Sequence, residues 1–340
     1  MSAKSWRSAG FYRPVEGGIL CTLCPHGCVL ADNEVGFCQV RRRHGLALQT
    51  ATFATSLQHL DNIERKPFYH YQPGCKVLTL AAPGCSFTCL YCQNYRLSQF
   101  GRTPAAPWQG TPVDSTAIVA EAAAQNAAIA LSYSEPSLAA ELTLELATAG
   151  QPKNVPILWK TNGFMTREAL AQLAPHLAAV NVDLKAVDDN KHRALTGASV
   201  TPVLDAIAKF LEAGVWVEIS TPLIPKFNTD FQSLRRLAAT VRGLGISIPW
   251  HLLRFTPEYR LRRARPTAPD TLTQALAIAR ETGLQYVYVE RACGPAARNT
   301  YCPQCGHEVV ARRIWETQTV SLIDGCCPSC GYNIPGRWHR

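Results

Sequence analysis

The stretch VLTLAAPGCSFTCLYCQNYRLSQ, Val77 to Gln99, decides how the rest of this 340-residue chain is read. Its apolar run, Val77 to Ala82, has the length and β-rich character of a buried strand and meets a Pro83-Gly84 turn. Three cysteines follow, Cys85, Cys89 and Cys92, spaced C-x3-C-x2-C. Three thiolates hold three irons of a cubane 4Fe–4S cluster and leave the fourth open to a chelating ligand, which makes a catalytic site rather than an electron wire. Closed structural zinc wants four ligands, usually as two CxxC pairs, and this loop offers three cysteines with no neighbouring histidine. Tyr91, in the last gap, is placed to cover a cluster or to stack on an adenine.

From Val77 onward, short β-rich runs alternate with amphipathic helical stretches. Seven strands are predicted, over 77–82, 128–133, 156–161, 179–184, 215–220, 249–255 and 286–290. Helix punctuation lies between them: Thr201 with Pro202 at the first helical position, and Thr229 with Gln232 as a capping box ahead of Leu234, Leu237, Ala238 and Val241. Gly243 and Gly283 are expected to close two helices. Repeated strand–helix units imply an α/β fold with a parallel sheet, and this number of units implies an open or partial (βα) barrel.

Chemistry in such barrels sits at the C-terminal strand ends. Polar residues recur there: Tyr133-Ser134-Glu135-Pro136, Lys160-Thr161-Asn162-Gly163, then Asn181, Asp183 and Lys185 on one face by period-two alternation. Glu218, Ser220, His251, Arg254, Glu290 and Arg291 continue the series. Charged ends on so many strands, gathered about one cysteine loop, predict a single polar mouth.

Eight of the other eleven cysteines fall into two modules. Cys21, Cys24, Cys28 and Cys38 stand among Gly and Pro turns, too few residues for a core, and predict a metal site that is zinc or a second iron–sulfur cluster. His26 is an alternative ligand there if one cysteine drops out. Cys302-Pro-Gln-Cys305-Gly and Cys327-Pro-Ser-Cys330-Gly are two CxxCG knuckles, the pattern of a zinc ribbon, although rubredoxin-like iron uses the same ligands. Three domains are expected: an N-terminal Cys-rich module and lead-in over 1–74, the barrel over 75–295, and the ribbon over 296–340. Cys75, Cys293 and Cys326 are left as thiols that act as small hydrophobes.

A composition of 47% hydrophobic and 17% charged residues is globular. No run of 18 apolar residues occurs, and MSAKSWRSAGFYRPVEGG lacks the apolar core of a signal peptide, so a cytoplasmic location without membrane partners is expected. The net charge of +9 gathers in arginine clusters at 41–43, 260–265 and 312–313. No aromatics are interleaved with them, which favours a solvated basic surface over a nucleic-acid interface.

At GCSFTCLYCQN, with KPFYHYQPG upstream and CPHGCVL near the N-terminus, the chain resembles the radical S-adenosylmethionine enzymes. Within them it is similar to the radical enzyme of the AmmeMemoRadiSam system, a group related to the pyruvate formate-lyase activating enzymes. The resemblance runs from about Gly18 to Gly336. It implies a 4Fe–4S cluster, S-adenosylmethionine cleaved reductively to a 5′-deoxyadenosyl radical, and an electron donor such as flavodoxin or ferredoxin. It also implies that the turn at Ser134 and Glu135 handles the cofactor amino group, where the relatives have a Gly-Gly-Glu-like turn. Asp183 and His251 match positions near the cofactor. Lys160 departs from the pattern: the relatives carry an acid before Thr-Asn-Gly, and that acid helps bind a monovalent cation facing the cofactor carboxylate. With Asn162 and Tyr91, these are the expected cofactor-binding residues.

Three functions follow from different classes. The first is a radical enzyme that takes hydrogen from a small molecule or a protein residue. The second is a glycyl-radical-enzyme activating enzyme. The third is a metal-stapled nucleic-acid-binding protein, which leaves the open cysteine triad unexplained.

Overall fold

The computed structural model describes residues 6–102 and 110–339, and all seven expected strands belong to one eight-stranded sheet. The strands are β1 (Gln58–Asn62), β2 (Lys76–Leu80), β3 (Ala127–Leu131), β4 (Ile157–Thr161), β5 (Ala179–Asp183), β6 (Trp216–Leu223), β7 (Trp250–Arg254) and β8 (Val287–Val289). They lie side by side in chain order. β2 to β8 run parallel, and β1 pairs antiparallel with β2. β1 and β8 are the two edges, so the barrel stays open. β1, with the sequence QHLDN, has no apolar alternation to reveal it, and backbone pairing puts it at the edge. The sheet therefore begins inside the stretch expected to be lead-in. The first residues of MSAKSWRSAGFYRPVEGG, at 1–5, lie outside the described residues.

Helices over Ser115–Ala124, Ala140–Gly150, Arg167–Leu173, Asp189–Thr196, Thr201–Glu212, Phe231–Leu244 and Pro269–Glu281 fill the connections. Asp114, Thr166, Asp188 and Asp230 cap four of them by accepting first-turn N–H groups. The cap ahead of Leu234 is thus Asp230 and not Thr229, because a carboxylate one residue later makes the stronger, charge-assisted bond. Thr201 is already helical and follows Val200, with Pro202 second. Gly283 takes the left-handed conformation expected of a helix end, φ +92°, and its amide bonds Arg280 O. Gly243 lies within its helix, which runs on to Leu244. No single described helix is long and apolar enough to cross a membrane.

Alternation divides the sheet. Leu78, Leu80, Ile129, Trp159, Val182 and Ile219 join the helices in the main core. On the other face Val77, Ala128, Ala130, Leu158 and Ala179 pack against Ile63, Phe68 and Tyr71. The small alanines leave room for the segment 63–71, which plugs the inside of the open barrel. Glu218 is fully buried and ties the plug down: it accepts N–H bonds from Tyr69 (3.0 and 2.9 Å), His70 (2.8 Å) and the Trp216 ring (3.1 Å), and it meets His251 Nε2 at 2.6 Å. A buried carboxylate is tolerated only when so satisfied.

The C-terminal module, with strands Thr300–Tyr301, Glu308–Arg313 and Glu316–Val320, docks on the same plug. Arg312 donates to Tyr69 O at 2.7 Å, and Arg337 N donates to His70 O at 2.7 Å. The His70 ring lies between Pro335 O (2.7 Å) and Tyr288 Oη (2.6 Å), fully buried, and burial outweighs nearby Glu218 to bring its pKa down to about 4. The folded protein therefore keeps His70 neutral, while the unfolded chain charges it below about pH 6.5, so stability is complete above that value and falls as pH drops toward 4. The expected loss between pH 7 and pH 4 is about 3 kcal/mol. Urea midpoints at the two pH values check it: His70→Gln should flatten the difference, and an equally steep fall in that variant would rule the assignment out.

Candidate active site

The C-terminal ends of β2 to β8 open onto one cavity of about 390 Å³. The loop after β2 brings Cys85, Cys89, Tyr91 and Cys92 to its wall. That loop is fixed from several sides. Thr88 N and Leu90 N donate to Thr196 O (2.8 Å) and Leu195 O (3.0 Å). Gly197 is required there, since its φ is +82° and a Cβ would fall 2.5 Å from Thr88 Oγ1. Arg102 donates to Cys85 O (2.7 Å), Phe87 O (2.9 Å) and Phe37 O (2.6 Å), clamping the loop to the N-terminal module.

The sulfurs have polar company. Phe87 N lies 3.3 Å from Cys85 Sγ, Asn162 Nδ2 3.6 Å from the same atom, and Ser98 Oγ 3.0 Å from Cys92 Sγ. Burial pushes all three thiols up, Cys89 to about 12 despite the Lys185 charge nearby. Ionised sulfur persists in such a place only against a positive partner, which is what bound iron supplies.

β4 and β5 bring together an ion group that the sequence placed on neighbouring strands. Lys160 Nζ donates to Asn181 Oδ1 at 2.7 Å and to Asp183 Oδ1, and Lys185 Nζ donates to Asp183 Oδ2 at 2.9 Å. Burial opposes ionising Asp183, but the two ammonium groups outweigh it and hold the carboxyl down to about 2. Burial lowers Lys160, with Asp183 opposing, whereas Lys185 ends well above its ordinary value because Asp183 overcomes its burial. Lys185 Nζ also sits 5.6 Å from the Tyr91 ring centroid.

Ser134, Glu135 and Asn162 also line the cavity. The Glu135 carboxylate is spent on holding the backbone, since it accepts from Thr161 Oγ1 (2.6 Å), Asn162 N (2.8 Å) and Ser137 N (3.0 Å). It thereby locks the turn after β3 to the Thr-Asn-Gly turn after β4, leaving Ser134 and the backbone to face the cavity. Tyr133 holds a left-handed φ of +70° and its hydroxyl meets Lys66 Nζ at 3.2 Å.

His251 is the expected cofactor-binding residue that the structure places elsewhere, and the expected mouth residues Asn181, Glu218 and Ser220 are likewise buried and off the cavity lining. His251 is buried beside Glu218, with its ring edge-on to Tyr69 at 4.8 Å, and is not among the cavity-lining residues. Its strand position points it inward, where Glu218 and the plug residue Tyr69 take it up. Conversely Arg65, Ser98 and Thr256 line the cavity without having been foreseen. Arg65 follows the edge strand, which had no sequence signal of its own.

Beside the mouth, Tyr95 and Tyr259 stack at 4.7 Å with Arg262 bonded to Tyr95 Oη at 3.0 Å. The fold thus sets a stacked aromatic pair, one member of which directly precedes Arg260 in the chain, beside the 260–265 arginines.

At the far end, the sulfurs of Cys302, Cys305, Cys327 and Cys330 all lie within 4.8 Å of one another, with Cys302 and Cys330 3.5 Å apart. Gly306 and Gly331, both at φ +75°, turn each knuckle so that two thiols face one point. This is the arrangement of one tetrahedral ion.

A Radical SAM superfamily profile matches residues 80–238. An uncharacterized protein of Methanocaldococcus jannaschii is 32% identical over 334 residues, 96% of this chain and 98% of that protein. The isethionate sulfite-lyase activating enzyme of Nitratidesulfovibrio vulgaris is 30% identical over 148 residues, and the matched part is 42% of this chain and 48% of that enzyme, about half its length. The pyruvate formate-lyase 1-activating enzyme of Escherichia coli is 24% identical over 236 residues, 64% of this chain and 93% of that enzyme. Among solved structures, Streptococcus suis SuiB bound to S-adenosylmethionine superposes with a TM-score of 0.50 at 11% identity, covering 67% of this chain and 52% of SuiB, a likeness of fold alone.

Proposed function

This chain belongs to the radical SAM superfamily, and from that premise we propose that Cys85, Cys89 and Cys92 hold its 4Fe–4S cluster at the mouth of the open barrel. The observation that carries the reading is the joint placement of these three thiols and the Lys160, Asp183 and Lys185 group on one cavity wall. The donor set fits: three thiols raised by burial welcome a cationic cluster and leave one corner for S-adenosylmethionine. When bound, the cluster supplies the electron that splits the cofactor to methionine and a 5′-deoxyadenosyl radical.

The chain's own residues orient and enclose. Asn162 Nδ2, bonded to Ser86 Oγ at 3.1 Å and close to Cys85 Sγ, steadies the first ligand. Backbone carbonyls around Ser134 accept from the cofactor ammonium, on a turn that Glu135 immobilises. Lys160 faces the cofactor carboxylate. Tyr91 and Phe255, 6.2 Å apart and edge-on, wall the cavity against water on the adenosyl side.

The radical takes hydrogen from a substrate outside the glycyl-radical system, a small molecule or a protein residue. The relative matched over 98% of its length has no stated activity, whereas the match to the isethionate sulfite-lyase activating enzyme, 148 residues, is too short to span both metal modules. The nearer named relatives favour a second reading, activation of a glycyl-radical enzyme. Anaerobic reconstitution with iron and sulfide, then reduction with S-adenosylmethionine present, tests the function. Formation of 5′-deoxyadenosine is expected, and its absence in iron-replete protein would refute the proposal. A donor of the flavodoxin or ferredoxin kind and a cytoplasmic setting suit this chemistry.

The ribbon quartet carries a structural zinc in this reading. The isolated protein is expected to retain about one equivalent, and Cys327→Ser to lose it with a clear fall in Tm while 5′-deoxyadenosine still forms, because ion binding is folding free energy in so small a module. Metal analysis and calorimetry decide it, and zinc-free protein of unchanged Tm would count against it.

A further inference from the structure

We propose that Cys21, Cys24, Cys28 and Cys38 hold a second 4Fe–4S cluster, ligated at all four irons, that passes electrons to the centre at Cys85, Cys89 and Cys92. Its destination rests on the function proposed above; its existence does not.

Two small sheets gather the four thiols. Cys21 ends the strand Gly18–Cys21, Cys24 and Cys28 lie in the turns that lead to Val29–Leu30, and Cys38 precedes Arg41–His44. Cys21 N donates to Cys28 O at 2.9 Å and Gly36 N to Arg41 O at 2.8 Å, so the turns close on one another. Cys21, Cys24 and Cys38 are buried and Cys28 is half-buried. Phe37 N lies 3.5 Å from Cys28 Sγ, an amide-to-sulfur contact like that at Cys85.

Spacing distinguishes a cluster from zinc. Among the described residues, the ribbon quartet alone has three or more ligand atoms all within 4.8 Å of one another. A single ion with sulfur at about 2.3 Å demands such closeness. Neither the N-terminal quartet nor the triad at Cys85, Cys89 and Cys92 meets it, and a cubane, whose irons are themselves spread over the corners of a cube, holds its sulfurs wider. By this internal comparison the N-terminal thiols group with the catalytic triad.

Charge gives a separate sign. Arg41 is fully buried beside the quartet, its terminal nitrogens bonded to Glu141 (3.1 and 2.9 Å) and Gly10 O (2.6 Å), while its Nε has no partner. Four thiolates around a cluster bring negative charge that would complement this guanidinium.

Placement gives the role. His26, between Cys24 and Cys28, meets Ser86 O at 2.7 Å, next to Cys85. A Cβ on Gly84, on the other side of Cys85, would come 2.9 Å from Cys38 O. Arg102 joins Phe37 O to Cys85 O. The two cysteine loops are thus direct neighbours. Four ligands leave no open iron, so this centre has no corner for S-adenosylmethionine. It accepts one electron from a low-potential one-electron protein donor and hands the same electron on, with no bond made or broken.

The test uses full-length protein reconstituted anaerobically. The Cys85→Ala/Cys89→Ala/Cys92→Ala variant is expected to hold about four irons and four sulfides, and its reduced EPR signal should not move when S-adenosylmethionine is added. Adding Cys24→Ala and Cys38→Ala should remove that iron. Zinc in place of iron in the first variant, or a signal that shifts with the cofactor, would overturn the proposal. The wild type provides a check that no substitution disturbs: full reduction should give two spin systems, one sensitive to S-adenosylmethionine and one not. A single sensitive signal defeats this inference, whereas a single insensitive one defeats the catalytic assignment instead.

Discussion

Cys89→Ala is expected to abolish formation of 5′-deoxyadenosine, with a fall of roughly a thousandfold or more, equivalent to over ~4 kcal/mol of barrier. Three thiolates are the fewest that hold a cubane with one corner free, and no fourth cysteine is among the described residues that line the cavity. Cys89 lies mid-loop, and the amides on either side of it are tied to the end of the helix Asp189–Thr196, so the loop cannot slide to offer another sulfur. Cys293→Ala is the control: Cys293 sits 3.6 Å from Thr273 Oγ1 and is not among the cavity-lining residues, and its loss should leave the yield within about twofold. Product analysis by chromatography, with iron measured on the same samples, decides the matter. Full iron content and normal product in Cys89→Ala would remove the cluster from this loop.

Lys160→Ala should weaken S-adenosylmethionine binding about tenfold or more, or ~1.4 kcal/mol upward, the scale of one charge-assisted hydrogen bond. An ammonium has three hydrogens. Asn181 and Asp183 take two, and the third is left for an acceptor in the cavity, which suits the cofactor carboxylate. Binding should then be indifferent to sodium or potassium. Lys160→Asp would recreate an acid before Thr-Asn-Gly, as in the activating enzymes the chain resembles, and added potassium should restore part of the affinity. Stability separates this role from a merely structural one. Lys160→Ala leaves Asp183 still paired with Lys185 and should cost little, whereas Asp183→Asn strands two ammonium groups and should cost roughly 2 kcal/mol. Calorimetric titration across potassium concentrations reads the binding arm, and unchanged affinity in Lys160→Ala would sink the idea.

The barrel strands were legible because each is a short apolar run between turn signals, a pattern local to a few residues. The edge strand Gln58–Asn62 was not, since it is held by backbone pairing to β2 and its side chains carry no period. Helix starts were misplaced by one residue where two capping residues compete, as at Thr229 and Asp230, and the carboxylate won.

The cysteine spacings and the polar strand ends were fixed by the sequence itself, because ligand spacing and period-two alternation are properties of neighbouring residues. What those residues touch depended on the segment 63–71, which comes from before the first parallel strand and fills the barrel. It turned Glu218 and His251 from expected mouth residues into anchors of a plug, since a buried carboxylate must find donors and the backbone of Tyr69 and His70 supplied them. It left Lys160, Asp183 and Lys185 among the charges that line the cavity. The same applies to Arg102, Arg41 and the two cysteine loops: contacts between residues far apart in the chain are set by packing, and no local spacing encodes them.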